Sequence, residues 1–163
     1  LDTHWKHNEA SPETTMNWCF SWKTIGIPAP QGSKRHVGMG RMIESCKALK
    51  PWREQIIADT KSLDFPRTIE NAVSVSLVFC FPRPKSHFTT KGALKSKVPS
   101  HKTTKPDIDK LCRAVLDALT IAELIKDDSL VHSLTAEKRY CVAEEPPGVL
   151  ITVMDMHEVP FED

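Results

Sequence analysis

The sequence predicts a single α+β domain in which a mixed β-sheet packs against two helices, the elements running β-α-β-α-β-β. Three observations carry that expectation. Val73, Val75, Leu77, Phe79 and Phe81 alternate strictly, the two-residue period of a half-buried strand. Ile108, Leu111, Cys112, Val115, Leu116 and Leu119 recur at three- and four-residue steps, the period of an amphipathic helix. The chain of 163 residues is long enough for one hydrophobic core and carries no internal repeat.

Taken in order, residues 1–15 (LDTHWKHNEASPETT) are polar and aperiodic ahead of Met16. They are expected to be a poorly ordered upstream extension or cloning remnant, leaving 16–163 as the folded domain. In WCFSWKTIGIP (18–28), Trp18, Phe20 and Trp22 share one face, a strand closed by Gly26 and Pro28. APQGSKRHVGMGR (29–41) has no apolar period and is expected to be a loop, suited equally to a plain surface or to touching phosphate. From Met42 to Leu63 the spacing of Ile43, Cys46, Leu49, Trp52, Ile56 and Ile57 predicts a helix, with Pro51 kinking or breaking it near Lys50. The strand at 71–83 leads into a proline- and lysine-rich stretch, 84–106, whose length suits a functional or mobile loop. After the helix at 107–120, SLVHSLTAEKRYCV (129–142) places Leu130, His132, Leu134, Ala136 and Lys138 on one face of a strand. The turn EEPPG then leads to VLITVMDMHEV (149–159), and the last two strands are predicted to pair as an antiparallel hairpin.

Composition narrows the function classes. Apolar content of 40% and charged content of 26% fit a folded globular protein rather than a disordered or membrane chain. No apolar run approaches the ~20 residues that span a bilayer, and the N-terminus lacks a secretory layout, so the cytoplasm is the expected compartment. Five scattered cysteines and seven histidines show no disulfide or zinc spacing. The net charge of +1 conceals an uneven distribution: no acid occurs between Asn71 and Pro106, where Arg83, Lys85, Lys91, Lys95, Lys97, Lys102 and Lys105 fall. A basic segment running into acids suits a polyanion held beside a cation site. The same lysines would also serve a merely solvated loop.

The acids are Asp107 and Asp109 at the start of the second helix and Asp127 and Asp128 after it. Helix capping by Asp107 and a dipole contact by Asp109 would account for the first pair alone. The helix from Asp107 to Thr120 rises roughly 20 Å, and IAELIKD can span at most about 23 Å. The connection can therefore bring Asp127 and Asp128 back beside the first pair. Carboxylates so gathered, with no histidine or cysteine among them, would suit Mg²⁺ or Mn²⁺ and phosphodiester hydrolysis.

KPDIDKLCRAVLDALT, IKDD, EKRY and PPGVLITV together resemble the RusA family of crossover junction endodeoxyribonucleases, which resolve four-way Holliday junctions. GIPAPQGSKR, WREQI and FPRPKSH resemble segments of its phage and prophage branch, so the likeness spans residues 18–155. The resemblance implies a RusA-like fold, a homodimer, and a Mg²⁺-dependent (Mn²⁺ also suitable), structure-selective nuclease that nicks branched DNA in recombination and repair. It places metal binding at Asp107, Asp109 and Asp128, with Asp127 adjoining, and catalysis on Asp107, Asp109, Asp128 and Arg113. Arg113 stands where the family has a functional lysine; it keeps the charge but cannot release a proton. Lys110 stands where asparagine is usual. DNA contacts are expected from Lys85, Lys91, Lys95, Lys97, Lys102, Lys105, Lys110 and Arg113. The alternative is a catalytically impaired relative that binds branched DNA without cutting it.

Overall fold

In the computed structural model, which describes residues 18–32, 34–36, 39, 42–44 and 46–156, the chain forms six strands and two α-helices. These are β1 (Cys19–Ile25), β2 (Lys34–His36), β3 (Met42–Glu44), α1 (Leu49–Lys61), β4 (Val73–Phe81), α2 (Ile108–Ile121), β5 (Val131–Tyr140) and β6 (Gly148–Asp155). The four long strands make one mixed sheet in the order β1-β6-β4-β5, and β2 pairs with β3 in a small antiparallel ribbon. Apart from that ribbon, the order is the expected β-α-β-α-β-β. The proposed 1–15 extension lies outside the described residues.

β4 is the spine of the sheet. Its alternating residues Val73, Val75, Leu77 and Phe79 are fully or almost fully buried, and it is bonded on both edges. Each such side chain withdrawn from water contributes about 1.5–3 kcal/mol. Phe20 and Trp22 of β1 and Val149, Ile151 and Val153 of β6 extend the same buried face. Against it lie Trp52 and Ile56 of α1 and Leu111, Val115, Ala118 and Leu119 of α2, making two layers around one core.

Three local expectations change. The first helix begins at Leu49 rather than Met42, because residues 42–44 are taken by β3. Pro51 therefore neither kinks nor breaks it: proline sits in the first turn, where its missing N–H would have had no partner. The stretch expected as a loop at 29–41 supplies β2. The last two strands do not form a hairpin. β5 runs parallel to β4, with α2 in the crossover that a parallel pair requires, and β6 inserts between β1 and β4, antiparallel to both.

The physical reason is reach. Stepping across one strand means crossing two inter-strand gaps, about 10 Å, which residues 141–147 span with length to spare. Glu145 in that connection fastens it to three strands at once. Its carboxylate accepts from Arg139 of β5 at 2.7 and 2.8 Å, Lys23 of β1 at 3.1 Å and the Cys80 thiol of β4 at 3.3 Å. The Val142 N–H adds a fifth bond at 3.1 Å.

Candidate active site

The site is built where α2 meets the start of β5. Pro106 precedes the helix, and Asp107 occupies the N-cap position with extended backbone, yet its side chain makes no capping bond. Helix capping therefore does not explain why an acid stands there. The Asp107 carboxylate instead pairs with Lys110, one turn along, at 3.3 Å. Asp109 lies in the first turn on the exposed side, and Arg113 follows four residues later on the same face.

The return of the chain is set by a left-handed residue. Glu123 has φ of 63°; its N–H bonds Thr120 O at 3.0 Å, and that of Leu124 bonds Leu119 O at 3.1 Å. This is the Schellman pattern that stops a helix and reverses the chain. Leu124 and Leu119, both 0% exposed, supply the apolar contact that accompanies it. The next residues are then laid along the chain that precedes β4: Ile69 N–H bonds Leu124 O at 2.8 Å and Lys126 N–H bonds Ile69 O at 3.0 Å. A single 3-10 turn, Asp128–Leu130, follows and opens β5.

Asp109 and Asp128 thus line one cleft of about 410 Å³, together with Arg113. Ile108, Cys112, Leu116, Leu134 and Ala136 form its apolar wall. Burial, and then the charge of Asp109, push the Cys112 thiol up to about 11, so it remains a neutral part of that wall. Asp127 is used differently. It caps the 3-10 turn by accepting from Ser129 N–H at 2.8 Å, and its hydrogen bonds to Ser129 hold its carboxyl below the usual range. Asp107 and Asp127 are not among the cleft-lining residues. Among the described residues, no three His, Cys, Asp or Glu side chains form a metal-holding group.

Three cations of the basic segment have partners within the fold. Arg83 donates to Cys141 O at 3.3 Å and Pro99 O at 2.8 Å and stacks over Tyr140. Lys102 donates to Thr104 Oγ1 at 2.6 Å and lies over the Phe81 and Tyr140 rings, 5.2 and 5.7 Å from their centres. Lys95 donates to Ser86 O at 2.8 Å. Lys85, Lys91, Lys97 and Lys105 are exposed.

Sequence reasoning passed over Glu123, Glu145 and Lys138. For Lys138 a signal existed: a lysine on the same strand face as Leu134 and Ala136 needs a reason to be there. For Gln31, which donates to Asp117 of α2 at 2.6 Å while its N–H bonds Lys110 O at 3.0 Å, there was none.

The model of a family described as endodeoxyribonuclease RusA matches residues 26–154. The chain belongs to that family. It is also 33% identical over 135 residues to an uncharacterized protein, YqaN of Bacillus subtilis (strain 168), across 78% of this chain and 91% of that one. No helix among the described residues is long and apolar enough to cross a membrane.

Proposed function

We propose that this protein is a divalent-metal-dependent endodeoxyribonuclease that resolves four-way DNA junctions by paired nicks, working as a homodimer in the cytoplasm. One observation carries the reading: Asp109 and Asp128, nineteen residues apart in the chain, line one cleft with Arg113. Two exposed carboxylates facing a shared space repel unless a cation joins them. The donor set fits Mg²⁺ or Mn²⁺, since a magnesium ion is characteristically held by one or two carboxylates plus substrate phosphates. Asp109 and Asp128 would hold it, and Asp107 would join them on leaving Lys110.

When bound, such an ion supplies charge stabilisation at the phosphate and activation of water. The remaining work belongs to side chains. Arg113 offers a planar fork of donors to the non-bridging oxygens of the scissile phosphate. Lys85, Lys91, Lys97 and Lys105 neutralise phosphates flanking it, with Lys95, Lys102 and Lys110 contributing charge from their pinned positions. The apolar side chains of Ile108, Leu116 and Leu134 lower the polarity of one side of the cleft and strengthen these contacts. A two-fold dimer would present two such clefts to the two-fold symmetry of a junction.

The test is Asp109→Asn on a synthetic four-way junction with Mg²⁺. Cleavage is lost and junction binding in a gel shift is retained; a variant that still cuts sinks the assignment. The Asp107–Lys110 pair favours a second reading, in which the protein binds branched DNA without cutting it. A stable shift with no nicks from the unmodified protein would decide for that reading.

A further inference from the structure

Residues 100–102 lie along the outer edge of β5. Lys102 N–H bonds Lys138 O at 3.1 Å, Tyr140 N–H bonds Ser100 O at 2.9 Å, and His101 bridges Arg139. Beyond Lys102 these backbone bonds end, and the next regular main-chain bond is Leu111 N–H to Asp107 O within α2. The gap is filled by one side chain. The Lys138 ammonium donates to Thr104 O and to Pro106 O, both at 2.7 Å. A lysine on an edge strand ordinarily points to solvent and blocks unwanted pairing. Here its head is given to two main-chain carbonyls, the second belonging to the residue just before Asp107.

Lys138 follows Leu134 and Ala136 in β5, and both of those line the cleft. The strand that follows Asp128 after a single 3-10 turn therefore reaches across to grip the turn from which Asp107 and Asp109 start. Asp107 has no capping bond of its own to fix that turn. Lysine is suited to the task because it carries three donors and no acceptor, so it can satisfy two convergent carbonyls together.

We propose that Lys138 is a positioning residue: it ties the start of α2 to β5 and thereby sets the placement of Asp109 against Asp128. It touches neither carboxylate in this arrangement and acts through the backbone. The catalytic consequence rests on the nuclease reading above; the structural one does not.

Two substitutions in the full chain, Lys138→Met and Lys138→Arg, separate the possibilities. Hydrogen exchange of the amides at 111–113, the first in α2 with main-chain partners, should accelerate in Lys138→Met while exchange at 73–79 in β4 stays unchanged. Single-turnover junction cleavage should fall about 10- to 100-fold, as for residues that orient ligands from behind, with junction affinity unaltered. Lys138→Arg, which keeps two donors, should restore most of both. Unchanged exchange at 111–113 in Lys138→Met overturns the proposal, as does an arginine variant no better than methionine. A loss confined to thermal stability and spread evenly over the amides also overturns it, since that marks a general structural role. If the unmodified protein cuts no junction, the nuclease reading fails and the exchange pattern still decides the role of Lys138.

Discussion

Glu123 is the hinge on which the site depends, and its energetics can be worked out. An L-residue in the left-handed region costs roughly 1–2 kcal/mol because its Cβ crowds the following carbonyl oxygen. Glycine removes that cost, but it loses roughly 0.5–1 kcal/mol more backbone freedom on folding. Glu123 has φ of 63° and is exposed, so its side chain contributes no buried contact to offset. Glu123→Gly should therefore stabilise the protein by about 0.5–1 kcal/mol, raising Tm by about 1–4 °C for a chain of this size. Glu123→Ala keeps the Cβ and should leave stability nearly unchanged. Paired urea melts, with m-values confirmed equal, measure the difference. A glycine variant no more stable than the alanine variant would refute the view that the backbone conformation at this position closes the helix and turns the chain toward Asp128.

Glu145→Gln should destabilise by about 1–2 kcal/mol near neutral pH, because it weakens charge-assisted bonds to Arg139 and Lys23. The sign with pH follows from Arg139, which above all holds the Glu145 carboxyl far below its ordinary value. Its contribution is complete above the unfolded carboxylate pKa of about 4.3 and is lost as pH falls below that towards the folded value. The gap between the two proteins in thermal melts should therefore close in acid; a gap independent of pH contradicts the ion-pair account. Lys110→Gln should release Asp107, whose pair with Lys110 is 38% and 50% exposed and worth at most about 1 kcal/mol. Titration calorimetry with Mn²⁺ should then show binding tightened up to about fivefold; weaker binding would mean that Lys110 supports the site rather than competing for it.

Much of the fold is legible in local periodicity. The alternation at 73–81 and the helical stripe at 108–119 depend on residues only two to four apart, and both elements form as their spacing predicts. The return of Asp128 could be shown feasible from chain length alone, but what brings it about is the Glu123 conformation, at a residue type that rarely signals one. Strand order is a different matter. Nothing local in 129–159 distinguishes a hairpin from two strands that straddle a third; the choice is made by β4, more than fifty residues upstream, and by Glu145 binding across the sheet. The acids Asp107, Asp109, Asp127 and Asp128 could be singled out by type and spacing, whereas a role for Arg113 followed only from the resemblance to the RusA family. Lys138 stands out as a lysine on the strand face of Leu134 and Ala136, but its partners Thr104 and Pro106 depend on the crossover and could not be read from local pattern.

The insertion of β6 between β1 and β4 has a bearing on how the molecule is assembled. Cys19 pairs with Met154 and Ile25 with Gly148, so the first strand waits for almost the last to find its place. Such remote pairings carry a large loop-closure penalty before any reward, which slows folding. Until β6 is in place, one edge of β4 has no partner and Phe20 and Trp22 lack their cover. A ribosome-bound chain cut short before Gly148 should be unable to close its sheet, however completely α2 and its acids have formed.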